Sequence, residues 1–194
     1  MGARPPKRGA SGTGWSNKMK ILAVNGSPRG EKGNTARVLS AIAVAAESIG
    51  ASTETMYLSD ENPEHCVHCG HSCFADGTCV REPAATIRSE RIQAADALIL
   101  GAPVYCWQPN ALTGMLFDKF RIPEGTWVDS SVPRIPALGV AVACGTGTGV
   151  FPALQSIYSW FCAWRFVPVD PVPVTRYNID RMIADAVQLA RSLT

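Results

Sequence analysis

The sequence predicts an α/β fold, a parallel sheet covered by helices on both faces, and three observations carry that expectation. Apolar runs of strand length alternate with segments of helical periodicity from Lys20 to the end of the chain. The first run, Ile21 to Val24, is wholly apolar and ends in Asn25-Gly26-Ser27-Pro28, as a buried parallel strand entering a loop should. No internal repeat or change of composition divides the alternating part of the chain.

The elements follow in order. Asn34 is placed to cap a helix in which Val38, Leu39, Ile42, Ala45, Ala46 and Ile49 recur at helical spacing, with Gly50 ending it. Thr53 to Leu58 reads as a second strand. A helix from Pro83 to Gln93 leads to a third strand, Ala97 to Gly101, and Pro109 to Phe120 is helical. Ala137 to Ala143 is a fourth strand, Thr148 to Phe161 a helix, and Phe166 to Val169 a weak fifth strand. A last helix from Asn178 buries Ile179, Met182, Ile183, Ala186, Leu189, Ala190 and Leu193.

Composition bounds the function. The 194 residues are 46% hydrophobic and 18% charged, the balance of one globular domain. The formal charge of +2 is misleading, because Arg4, Lys7, Arg8, Lys18 and Lys20 meet no acid in the first twenty residues. From residue 21 onward the chain is acidic by three charges, which argues against nucleic-acid binding. Residues 1–18 are expected to form a basic flexible tail, and residues 19–194 one domain with a cysteine-rich loop at 62–82. No apolar run reaches the roughly 18 residues of a membrane span, and residues 1–18 lack the hydrophobic stretch of a secretory signal. Seven cysteines, four of them within fourteen positions, favour a reducing cytoplasm and a cofactor over disulfides.

Gly26-Ser27-Pro28-Arg29, followed by Gly33-Asn34-Thr35, lies between the first strand and the first helix. Glycines let a ligand approach the backbone, while helix-start amides, hydroxyls and Arg29 donate to an anion, and phosphate is the natural occupant. G-S-P-R-x-x-x-G-N-T here, Ala102-Pro103-Val104-Tyr105 after the third strand and Cys144-Gly145-Thr146-Gly147 after the fourth resemble the flavodoxin-like NADPH-dependent FMN reductase family. The resemblance implies a flavodoxin-like, doubly wound, five-stranded parallel sheet of order 2-1-3-4-5. It implies that Ser27, Arg29, Asn34 and Thr35 hold the FMN phosphate. Pro103, Val104, Tyr105 and Trp107 would then lie along the isoalloxazine, with Gly145, Thr146 and Gly147 at its other edge. Asp118-Lys119, where the family often ends this helix in Asp-Arg, reads as a solvated helix end. No side chain stands out as an acid or base, because flavin N5 carries the chemistry.

Cys66, Cys69, Cys73 and Cys79 stand in the pattern C-x2-C-x3-C-x5-C, interleaved with all three histidines, His65, His68 and His71. Such density binds iron-sulfur clusters or zinc more often than it serves packing. The group resembles the iron-sulfur flavoprotein branch of the same family, with one residue more between its second and third cysteines than that branch typically shows. The branch carries a 4Fe-4S cluster, but zinc on these thiols and histidines, or an empty loop, satisfies the residues too. A loop leaving the second strand starts at the cofactor edge, so its metal is expected within reach of the flavin of this subunit or a neighbour. Cys106, Cys144 and Cys162 read as small buried hydrophobes, and Trp160, Phe161, Trp164 and Phe166 as core or interface.

These readings combine into an FMN-dependent oxidoreductase, an iron-sulfur flavoprotein passing electrons between FMN and a 4Fe-4S cluster. Its donor would be NAD(P)H, a carrier protein or an organic substrate, and the resemblance implies a homo-oligomer, dimer or tetramer. The rivals are a cluster-free NAD(P)H-dependent FMN or quinone reductase with a zinc-bound or empty loop, and a non-enzymatic electron carrier or redox sensor.

Overall fold

The computed structural model describes residues 18–70, 72–122 and 134–194. His71 and residues 1–17, most of the expected tail, lie outside the described residues.

Strand β1 (Lys20–Asn25) pairs in parallel with β2 (Ser52–Tyr57) on one side and β3 (Ala97–Tyr105) on the other. Strand β5 (Pro136–Ala143) lies beside β3, and β6 (Val167–Pro168) and β7 (Val172–Thr175) both pair with β5. A short β4 (Gln108–Pro109) folds back antiparallel on β3. The parallel strands thus follow the order 2-1-3-4-5 when β6 and β7 count as two parts of a fifth position.

Side chains alternate between two cores, as strand geometry demands. Ile21, Ala23, Ile99, Leu138 and Val140 face α1 (Asn34–Ser48), α7 (Ile179–Ala184) and α8 (Ala186–Arg191). Leu22, Val24, Leu98, Leu100 and Ala137 face α4 (Pro83–Ala94), α5 (Ala111–Lys119) and α6 (Val150–Ala163). The aromatic group belongs to this second core: Trp160 stacks on Phe117 at 4.8 Å, and Phe161 and Phe166 are buried around it. Two short helices, α2 (Leu58–Glu61) and α3 (Ser72–Asp76), flank or lie within the cysteine loop, and the periodicity does not announce either.

Two elements differ from expectation for identifiable reasons. The fifth strand is interrupted because Pro168, Pro171 and Pro173 cannot donate to a ladder. Its first part pairs with Pro136 and Ala137, and its second, unforeseen part with Val140 to Ala143. Tyr158 of α6 fills the break: its hydroxyl accepts the Gly139 N–H at 3.3 Å and donates to the Val169 carbonyl at 2.6 Å. The last helix divides at Asp185, which closes α7 and opens α8 while the buried face continues through Met182, Ala186 and Ala190.

Candidate functional site

The fully buried Asn25 at the end of β1 organises the loop that follows. Its Oδ1 accepts the Ser27 N–H at 2.9 Å, and its Nδ2 donates to the Gly30 carbonyl at 3.3 Å. The Ser27 hydroxyl accepts the Arg29 N–H at 3.2 Å. From the other side Asn110, preceding α5, donates to the Gly26 carbonyl at 2.7 Å, and Thr113 donates to Asn110 at 2.8 Å. A Cβ on Gly26 would lie 2.0 Å from the Thr113 hydroxyl, so only glycine admits this contact.

The loop delivers the chain to α1, whose amino end has no side-chain cap. The expected cap by Asn34 is not made. Gly33 takes the N-cap position, and Asn34 is the first helical residue, its side chain accepting from Arg37 at 3.3 Å. An uncapped fifteen-residue helix leaves orphan amides to donate to an anion. Ser27 and Thr35 are buried in this loop, while Arg29 and Asn34 are exposed on it. The donor chemistry and the close-fitting glycine suit a phosphate.

Strand β3 runs past the sheet to Tyr105 and turns back through Cys106 and Trp107, setting Tyr105 opposite Gln108. Both turn residues have positive φ, 47° and 71°. A two-residue hairpin of this kind ordinarily takes asparagine or glycine, and strain held by other residues clusters at functional sites. Pro103 and Val104 are half-buried, whereas Tyr105 and Trp107 are 52% and 58% exposed. The Ser156 hydroxyl of α6 donates to Gln108 and steadies the hairpin.

After β5, Gly145 and Gly147 adopt left-handed conformations on either side of the exposed Thr146. Pairing of Asn25 with Gly101, Pro103 with Val142 and Ala143 with Thr175 brings all these strand ends to one edge. Sequence reasoning missed β7 and therefore Thr175, because alternating prolines hide the strand. Cys106 and Cys144 are exposed at this edge and Cys162 on α6, correcting the expectation of burial.

The cysteine loop leaves the same edge through α2 but does not stay there. Cys66, Cys69, Cys73 and Cys79 all line one cavity of about 380 Å³, against Lys119 and Arg121 beyond the far end of α5. Nine residues of helix separate that end from Asn110, a rise of about 13 Å. The metal site is therefore further from the phosphate loop than the point of emergence suggested. Cys66 and Cys69 are exposed, Cys73 and Cys79 partly so. Among the described residues no three His, Cys, Asp or Glu side chains gather closely enough to hold a metal ion. Four thiols on one cavity nonetheless form a donor set that suits a cluster or zinc.

An unforeseen chain of charges holds this loop. Glu54 of β2 accepts from Arg91 at 2.6 Å, Arg91 donates to Glu61 at 2.8 Å, and Glu61 lies 3.7 Å from Arg88. Arg88, fully buried on α4, donates to Glu82, which also accepts from Lys119. Lys119 is buried, correcting the reading of a solvated helix end; Asp118 beside it is exposed. Burial pushes the Glu82 carboxyl upward, but hydrogen bonds from Arg88 and Lys119, the Arg88 charge and the Glu64 N–H outweigh it and hold the carboxyl below its usual range. The sequence held one signal for this cluster: Arg88 falls on the buried stripe of Ala85, Ser89 and Ile92.

Open α/β sheets bind ligands beyond the carboxyl ends of their strands, and this edge is that of a flavodoxin-like oxidoreductase working through FMN. The chain belongs to the NADPH-dependent FMN reductase family, whose model matches residues 19–176. It is 30% identical over 162 residues to an iron-sulfur flavoprotein of Methanocaldococcus jannaschii, covering 82% of this chain and 81% of that one. An iron-sulfur flavoprotein of Methanosarcina thermophila is 35% identical over 143 residues, 73% of this chain and 72% of the other. Among solved structures, an NAD(P)H:quinone oxidoreductase from Methanothermobacter marburgensis superposes with a TM-score of 0.72 at 19% identity, covering 91% of this chain and all of that one. An archaeal flavodoxin superposes with a TM-score of 0.55 at 14% identity over 90% and 99% of the two chains. Among the described residues no helix is long and apolar enough to cross a membrane.

Proposed function

We propose that this FMN-dependent oxidoreductase is an iron-sulfur flavoprotein whose 4Fe-4S cluster is held by Cys66, Cys69, Cys73 and Cys79. The observation that carries the reading is the convergence of these four thiols on one cavity, in a chain whose relatives are named iron-sulfur flavoproteins. When bound, FMN supplies two-electron hydride chemistry and the cluster single-electron transfer.

The residues of the chain have binding and orienting roles. Ser27, Arg29, Asn34 and Thr35, with the first amides of α1, hold the FMN phosphate. Pro103, Val104, Tyr105 and Trp107 form one wall of the isoalloxazine site, and Gly145, Thr146 and Gly147 the other, where backbone amides steady charge on the ring. The strained hairpin turn keeps Trp107 in place without help from the ligand. The donor is NAD(P)H, a carrier protein or an organic substrate, and the exposed Tyr105, Trp107 and Phe151 support assembly as a homo-oligomer. Free thiols at all seven cysteines support a reducing, cytoplasmic setting.

The open spacing of the described thiols favours a second reading, a reductase whose loop is empty or holds zinc. Anaerobic reconstitution of the metal-free protein with ferrous iron and sulfide separates the two. A broad visible absorbance that is lost in Cys66→Ser and Cys79→Ser supports the cluster. Uptake of zinc without iron overturns it. Replacing Thr35 or Arg29 should loosen FMN, and unchanged flavin retention would refute the phosphate assignment.

A further inference from the structure

The loop at 62–82 is bounded by two acids, Glu61 and Glu82, and both face the same buried cation, Arg88. Glu82 has further partners. Its Oε2 accepts the Glu64 N–H at 3.2 Å, on the entering limb of the loop, and the Lys119 ammonium on α5. The exiting limb is tied separately, where the Cys79 N–H donates to the Thr86 hydroxyl at 2.8 Å. Lys119 itself lines the cysteine cavity. The charge chain from Glu54 to Lys119 contains three acids and three cations in alternation, so its net charge is zero while Glu82 is ionised.

We propose that Glu82 is the positioning residue of the cysteine cavity. It pins the two limbs of the loop together through the Glu64 amide and Arg88, and it neutralises the Lys119 ammonium that faces the thiols. The first role fixes where the four sulfurs sit. The second sets the electrostatic environment of whatever they hold, since a cation freed beside a metal centre stabilises its reduced form. The proposal rests on the cluster reading for its electrostatic half only, because the loop is tied in the protein without metal.

Hydrogen exchange on the metal-free protein and potentiometry on the iron-loaded protein test the two halves. In Glu82→Gln a neutral acceptor replaces a charged one, and the Glu64 amide should exchange about ten- to a hundredfold faster. The reduction potential of the bound centre should rise in the same variant. Lys119→Met leaves Glu82 paired with Arg88 and is the safer variant if Glu82→Gln folds poorly. It should leave the Glu64 amide protected and lower the potential, and Glu82→Gln/Lys119→Met should cancel the rise. A purely structural role gives no such opposition of sign. Unchanged Glu64 protection in Glu82→Gln, or shifts of one sign in both variants, would overturn the proposal. If wild-type protein takes up no iron, the cluster reading fails, and exchange at Glu64 still decides whether Glu82 ties the loop.

Discussion

Substitution of Gly149 by alanine tests whether the Tyr105–Gln108 hairpin forms part of the flavin site. Gly149 caps α6, and a Cβ there would stand 2.8 Å from Val104 Cγ1 and 2.9 Å from the Trp107 backbone Cα. Neither distance is tolerable, and the second neighbour is main chain, so the hairpin has to move. Overpacking of this kind costs about 1–3 kcal/mol. In the free protein the exposed hairpin relieves the contact by shifting away from α6. FMN binding has to reverse that shift, so the same energy reappears as weakened affinity, about 5- to 150-fold. Titration of apoprotein with FMN, followed by quenching of flavin fluorescence, measures it, with thermal melting of the apoprotein as control. Wild-type affinity in Gly149→Ala would refute the placement of the ring against this hairpin. A large loss of apoprotein stability with unchanged affinity would do the same, since it would show that the hairpin had not relaxed.

Other substitutions probe the supports of the site. Tyr158→Phe leaves the Gly139 N–H and the Val169 carbonyl without the hydroxyl that bridges the broken fifth strand, and about 1–3 kcal/mol of stability should be lost in urea titrations. Burial, aided by Asp170, raises the Tyr158 phenol to about 12, so its contribution is complete below pH 10 and lost as pH rises toward 12; the alkaline decline should be shallower in Tyr158→Phe. The Glu82 carboxyl is held low, so its contribution is complete above pH 4.5 and lost as pH falls through the folded-state value, an acid limb that Glu82→Gln should remove from the stability profile. Arg88→Met strands Glu82 and Glu61 and should cost about 3–5 kcal/mol by denaturant unfolding. Gly26→Ala forces the Thr113 hydroxyl aside and should abolish FMN retention on gel filtration.

The parallel sheet was legible because its strands are buried on both faces and read as plain apolar runs. Ile21 to Val24 and Ala97 to Gly101 needed no other information. The fifth position was only half legible, since its pairing depends on which of three prolines interrupts the ladder and on a tyrosine from another element. Loop motifs located the cofactor edge, but Asn25 and Asn110, which shape it, look like ordinary turn and cap residues in the sequence. Their partners lie across the fold, 84 residues away for Asn110. The cysteines announced a metal signal plainly. Their distance from the phosphate loop did not show, because it is set by Arg88 and Lys119, charged residues whose burial only tertiary packing reveals. Lys119 at the end of its helix had the sequence appearance of a solvated residue.

The most direct test of the central claim is cofactor analysis of the protein purified without oxygen: a visible spectrum with FMN, iron, acid-labile sulfide and zinc determined on one sample. The account predicts FMN together with iron and sulfide in equal amounts, and an absorbance beyond that of flavin that bleaches on reduction. Flavin with zinc and no iron would contradict it.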